Sequence, residues 1–155
     1  MTTGRYVLMR PRLADLEPLT ALCLRSKAWW GHDEAFIAAC RDELTLTPDD
    51  LTASRMIVAR KNANLAGIAQ VALEGNKADL LKFFVDPANI GQGLGRILFE
   101  WVESEARRLG ATTLSIESDP DAVAFYKRMG AVETGQVPSG SIPGRMLPLL
   151  LKSLA

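Results

Sequence analysis

Between a strand-like run, Leu80 to Val85, and an amphipathic helical run stands Pro87-Ala88-Asn89-Ile90-Gly91-Gln92-Gly93-Leu94-Gly95-Arg96. Pro87 stops the strand. The glycines at every second position permit backbone conformations that side chains resist. Beyond them Leu94, Ile97, Leu98, Trp101, Val102 and Leu109 recur on one side of a helix, which Gly110 closes. A strand that passes through a glycine turn into a helix commits this stretch to an α/β arrangement. It also places free backbone N–H groups and a positive dipole end at one point, which is an anion site. The plainer alternative is a flexible turn that only joins strand and helix.

Two familiar phosphate loops are excluded. A nucleotide-hydrolase loop ends in Gly-Lys-Ser/Thr, whereas Gly95 is followed by Arg96 and Ile97. A dinucleotide fingerprint has glycines at its first, third and sixth positions. From Gly91 the sixth is Arg96, and from Gly93 it is Leu98.

The flanking segments predict strands at Tyr6 to Met9, Met56 to Arg60, Leu65 to Leu73, Asp79 to Val85, Thr112 to Glu117, Ala131 to Thr134 and Met146 to Leu151. Pro148 confines the last to an edge or a bulge. Helices are expected from about Asp15, with Leu16, Leu19, Leu22 and Cys23 as the stripe, and from Asp33 to Leu44, with Asp33 as N-cap. Pro120 opens another, whose buried face is Ala122, Phe125, Tyr126 and Met129. At 155 residues one domain, 1–155, is expected.

Net charge is zero, which speaks against a nucleic-acid partner. With no apolar run near the roughly 18 residues of a membrane span and no signal-peptide pattern at Met1 to Arg10, the expectation is a cytoplasmic protein without membrane partners. Cys23 and Cys40 lack metal-ligand spacing, and no metal site is expected.

Ile90-Gly91-Gln92-Gly93-Leu94-Gly95 resembles the acyl-CoA signature of the GNAT N-acetyltransferase superfamily, Arg/Gln-x-x-Gly-x-Gly/Ala, with Ile90 at the position of Arg or Gln. Downstream, Asp119-Pro120-Asp121-Ala122-Val123-Ala124-Phe125-Tyr126-Lys127-Arg128-Met129-Gly130-Ala131 resembles that family's Asn-x-x-Ala-x-x-Phe-Tyr-x-x-x-Gly-Phe helix, with Asp119 for Asn and Ala131 for Phe. The likeness covers residues 55 to 150 well and the first 50 only loosely.

The resemblance implies the GNAT fold, a mixed and mostly antiparallel sheet with two splayed parallel strands, here Asp79 to Val85 and Thr112 to Glu117. It implies transfer of an acetyl group from acetyl-CoA to a primary amine of a small molecule or peptide by direct attack in a ternary complex. A non-catalytic acyl-CoA-binding module is the alternative, and a homodimer, with Met146 to Leu151 contributing to the interface, is possible. Cofactor contacts fall on Phe83, Phe84 and Val85 of the strand, on Ile90, Gly91, Gln92, Gly93, Leu94, Gly95 and Arg96 of the loop, and on Asp119, Phe125 and Tyr126. Tyr126 is the implied general acid, since a phenol of pKa about 10 suits a departing thiolate. Core packing is its plainer role. Glu117 is the best-placed candidate base, ahead of Asp79, Glu74 and His32, although each also reads as a surface charge. Acceptor contacts are assigned to Trp29, Trp30 and His32 between the first helices, and to Arg145, which could attract a carboxylate.

Overall fold

Branched and apolar runs interrupted by Gly, Asn and Pro form strands where the pattern places them. The computed structural model describes Thr2, Thr3 and residues 5–155. The chain starts with β1 (Thr2–Thr3) and β2 (Tyr6–Met9), passes a 3-10 turn (Leu13–Asp15), and enters α1 (Leu16–Trp29), α2 (Glu34–Leu44) and the short α3 (Asp50–Ala53). The strands β3 (Arg55–Lys61), β4 (Asn64–Glu74) and β5 (Lys77–Val85) follow as a meander. Then come α4 (Leu94–Arg108), β6 (Thr113–Glu117), α5 (Val123–Arg128), β7 (Val132–Pro138) and β8 (Met146–Ser153). All eight strands join one sheet in the order β1-β2-β3-β4-β5-β6-β8-β7. Every neighbouring pair is antiparallel except β5 and β6.

That parallel pair is short. Lys77 to Leu80 face Thr113 to Ile116, and β5 then runs on to Val85 with no partner on that side. The break coincides with a bulge. Against β4, Leu80 pairs with Val71 and Lys82 with Gln70, so Leu81 stands opposite no residue. A bulge bends and twists its strand. It turns the second half of β5 away from β6 and opens a cleft in the middle of the sheet. All residues from Leu81 to Val85 keep solvent contact, although the strand is central.

Side-chain alternation supplies the two covering layers. Ile57, Ala59, Ala69, Val71, Leu114 and Ile116 pack under α4, through Leu94, Leu98, Phe99 and Val102, and under Tyr126 of α5. Met56, Val58 and Ile68 pack under Leu19, Leu22 and Cys23 of α1 and Cys40 and Leu44 of α2. Helix α4 sits very close to the sheet. A Cβ on Gly67 of β4 would stand 2.9 Å from Leu98 Cδ1 and 3.1 Å from the Phe84 carbonyl oxygen.

The structure adds the short β1 to the expected strands and departs from expectation in two further places. Helix α3 has too few residues for a periodic signal. It is held by tertiary contacts, with fully buried Gln70 donating from Nε2 to Asp50 Oδ1 at 3.1 Å and to Ser54 Oγ at 2.9 Å. The last strand, β8, is not an edge strand but lies between β6 and β7. Pro148 is tolerated because β6 ends beside it: Glu117 pairs with Leu149, and only the Pro148 carbonyl is used further on, accepting from the Ser118 N–H at 2.9 Å. The irregularity falls on β7, between Glu133 and Gly135, and β7 is the exposed edge.

Candidate active site

The glycine loop closes on the N-terminus of α4. Gly91 (φ 80°) and Gly93 (φ 82°) both adopt the left-handed region, and Gly93 is the helix N-cap. A side chain there would meet no atom within 4 Å, so conformation, not crowding, calls for glycine at these two positions. The amides of Gly91 to Arg96 donate to no partner among the described residues, and the first helix-type bond to the loop is Ile97 N–H to the Gly93 carbonyl. The result is a continuous row of free N–H groups at a helix end that carries about half a positive charge. Arg96, Ile90 and Gln92 are exposed beside it, while the Leu94 side chain is buried in the core, leaving only its amide to the loop. The Gln92 side chain is tied to the fold. Its Oε1 accepts from Tyr6 Oη at 3.0 Å and from Lys61 Nζ at 3.3 Å, and its Nε2 donates to the Ala88 carbonyl at 3.3 Å. The loop is therefore pinned to β2 and β3, and Gln92 contributes through its backbone.

The two sequence motifs meet. A Cβ on Gly95 would lie 3.0 Å from the Phe125 ring, so the third glycine lets α5 pack on the first turn of α4. Phe83 of the open half of β5 joins Phe99, Phe125 and Tyr126 in one aromatic cluster, with the Phe83 and Tyr126 centroids 5.9 Å apart and those of Phe125 and Tyr126 5.3 Å apart. The Tyr126 ring is buried and its hydroxyl has no hydrogen-bond partner among the described residues. Burial, and then the negative charge of Asp119, push this phenol well above its usual pKa of 10.0, so it holds its proton throughout the physiological range.

Glu117 lies on the opposite face of the sheet. On β6, Leu114 and Ile116 point to α4, so Ser115 and Glu117 point to the α1 and α2 side. Phe84 of β5 packs on that side too, with Phe36 and Ile142. The structure thus puts Tyr126 and Glu117 on the two faces of the sheet, at the cleft between β5 and β6. Glu117 is exposed at the end of its strand with no ion pair among the described residues. Asp79 is paired at 3.7 Å with Lys77, at the closed end of the β5–β6 pair.

Asp119 is not a free carboxylate. Lys27 Nζ donates to both its oxygens at 2.9 Å, and Arg145 Nη2 donates to Oδ1 at 3.3 Å. The Arg145 guanidinium also stands over the Phe36 ring, 4.8 Å from its centroid, and His32 stacks on that ring at 3.9 Å. His32 Nε2 is buried without a hydrogen-bond partner. Trp29 and Trp30 are 57% and 49% exposed at the end of α1. Sequence reasoning did not single out Lys27 and Phe36. Lys27 falls in the last turn of a helix, where a lysine is ordinary, and Phe36 reads as part of an apolar stripe. Both thiols are inert: Cys40 is buried, and burial pushes Cys23 up to about 12. Among the described residues no cluster of His, Cys, Asp and Glu could hold a metal ion.

A mostly antiparallel sheet opened between two parallel strands, with a free-amide loop capping the helix that follows the open strand, defines the acyltransferase fold of the GNAT type. The chain belongs to that family: residues 34–139 match the family model described as "Acetyltransferase (GNAT) domain". It is 31% identical over 99 residues to the IAA acetyltransferase of Azospirillum brasilense, a match covering 61% of this chain and 63% of that protein. The match thus spans less than two thirds of this curated relative. In fold it is similar to a GCN5-related N-acetyltransferase from Rhodopseudomonas palustris, with a TM-score of 0.79, 21% identity, and coverage of 99% of this chain and 98% of that one. The PaiA N-acetyltransferase of Thermoplasma acidophilum, solved in complex with coenzyme A, superposes with a TM-score of 0.77 at 18% identity, covering 96% of this chain and 98% of that one.

Proposed function

We propose that this protein transfers an acetyl group from acetyl-CoA to a primary amine by direct attack within a ternary complex. The observation that carries this reading is the row of unpaired amides from Gly91 to Arg96 beside the open half of β5. An anionic pyrophosphate satisfies N–H groups that would otherwise face only water, and exposed Arg96 adds a positive charge. The unpaired edge of Leu81 to Val85 offers amide donors and acceptors to an extended pantetheine arm, as an added strand would. Bound there, acetyl-CoA supplies the activated acetyl thioester.

The chain's own residues then divide the work. Backbone N–H groups on the open β5 edge polarise the carbonyl to be attacked. Glu117, on the α1 and α2 face, accepts a proton from the incoming amine directly or through water. Tyr126, on the other face, points its proton at the departing sulfur; because burial raises its pKa above the value that matches a thiol, it acts by hydrogen-bonding the developing thiolate charge rather than by ionising fully. No thiol participates, since Cys23 and Cys40 are both buried and Cys23 is kept protonated.

Calorimetric titration with acetyl-CoA, with NAD and ATP as controls, tests the cofactor assignment. Saturable binding of acetyl-CoA alone is expected, and its absence overturns the reading. Binding without thiol release over a broad amine panel would mark a non-catalytic binding module instead.

A further inference from the structure

The geometry points to an acceptor that carries a carboxylate close to its amine, an amino acid, with Arg145 as the group that anchors that carboxylate. This rests on the acetyl-transfer reading above and names the substrate class for the same site.

Arg145 is built for the task. Its one side-chain hydrogen bond goes to Asp119, so most of its donors have no partner among the described residues. Its guanidinium lies over the Phe36 ring and is kept in place by Asp119. The loop that carries it is preorganised. Ser139 N–H donates to the Arg145 carbonyl at 2.7 Å, Ser139 Oγ accepts from the amides of Ser141 and Ile142, and Ser141 Oγ donates to Glu43 on α2 at 2.6 Å. A planar fork held on a stiff loop with spare donors suits a bidentate carboxylate.

The local charge agrees. Asp119 is already satisfied by Lys27, which contacts both oxygens, so Arg145 leaves one net positive charge in the cluster. Lys82 of the open half of β5 lies on the same face, half-buried and without an ion-pair partner among the described residues. A part-buried cation with spare donors beside a cleft favours a ligand that completes them. Phe36 and Ile142 join this cluster to Phe84 of the open strand, and Asp119 follows Glu117 by two positions. The anchor therefore adjoins the cleft on the face where Glu117 meets the amine.

The test measures coenzyme A release with acetyl-CoA and a panel of amino acids, each beside its carboxamide, for the wild type, Arg145→Gln and Arg145→Lys. Loss of a charge-assisted pair corresponds to about tenfold or more in kcat/KM. The expected result is that free acids exceed their amides by that factor, that Arg145→Gln raises KM for acids alone, and that Arg145→Lys restores part of the preference. Acetyl-CoA affinity, read in the same preparations, stays within about twofold of wild type. Equal use of acids and amides overturns the inference, as does turnover of the amides only, or no turnover of any acid while acetyl-CoA binds. Failure of acetyl-CoA to bind would instead overturn the acetyl-transfer reading itself. If Arg145→Gln does not fold, the acid-to-amide ratio of the wild type decides alone.

Discussion

Tyr126 shows how position changes what a side chain does. In water a phenol begins to ionise near pH 10. Enclosed by Phe83, Phe99 and Phe125 and facing the charge of Asp119, this one stays protonated. Tyr126→Phe should lower kcat by about 10²- to 10⁴-fold while leaving the acetyl-CoA dissociation constant unchanged, since only the proton donor is lost. The rate should also show no decline from phenol ionisation up to about pH 10, as a pH–rate profile of the wild type can check. Asp15 provides the opposite case. Burial by itself raises its pKa, but hydrogen bonds from Arg12 and the charges of Arg60 and Arg12 outweigh this and hold it below 3.8. A depressed carboxylate stabilises the fold above its unfolded pKa, and that contribution fades as pH falls below about 4. Asp15→Asn should therefore lower stability at pH 7, and the difference from wild type should shrink in acid melts.

At the scale of elements, Gly67 sets how closely α4 approaches the sheet, and Gly93 sets the turn from which α4 starts. Gly67→Ala forces a methyl group against Leu98 and the Phe84 carbonyl, and overpacking of this kind costs about 1–3 kcal/mol, readable by denaturant unfolding. Gly93→Ala acts differently. The space is open, but the left-handed backbone costs about 1–2 kcal/mol for a residue with a Cβ, and relaxing it re-aims the loop amides. Weaker acetyl-CoA binding, with stability lowered by no more than that strain, is the expected outcome. Both motifs were legible in the sequence because local chemistry dictates them. A left-handed turn needs glycine, an amphipathic helix needs its stripe, and Pro120 suits a helix start. Helix α3 and the place of β8 were not legible. The first has no period to detect and depends on Gln70 from a distant strand, and the second depends on β7 crossing to the outer edge.

For the whole molecule, the decisive feature is an opened sheet. A central strand that leaves one side unpaired forgoes ladder hydrogen bonds, and a ligand that supplies them stabilises the folded state. At a hundredfold excess over its dissociation constant, acetyl-CoA should raise Tm by roughly 5 to 10 °C, whereas equal concentrations of ATP should leave it nearly unchanged. No helix among the described residues is long and apolar enough to cross a membrane. The sequence by itself determined the α/β class, the glycine loop with its helix, the Phe125–Tyr126 pair and the order of most elements along the chain, because turns, periods and caps act between near neighbours. Only the tertiary structure decided that β5 parts from β6 after Leu80, that Tyr126 and Glu117 lie on opposite faces of the gap, and that Lys27 and Arg145 close on Asp119. Those facts depend on a one-residue bulge and on charges brought together from positions 27, 119 and 145, which are distant along the chain and adjacent only once the sheet has formed.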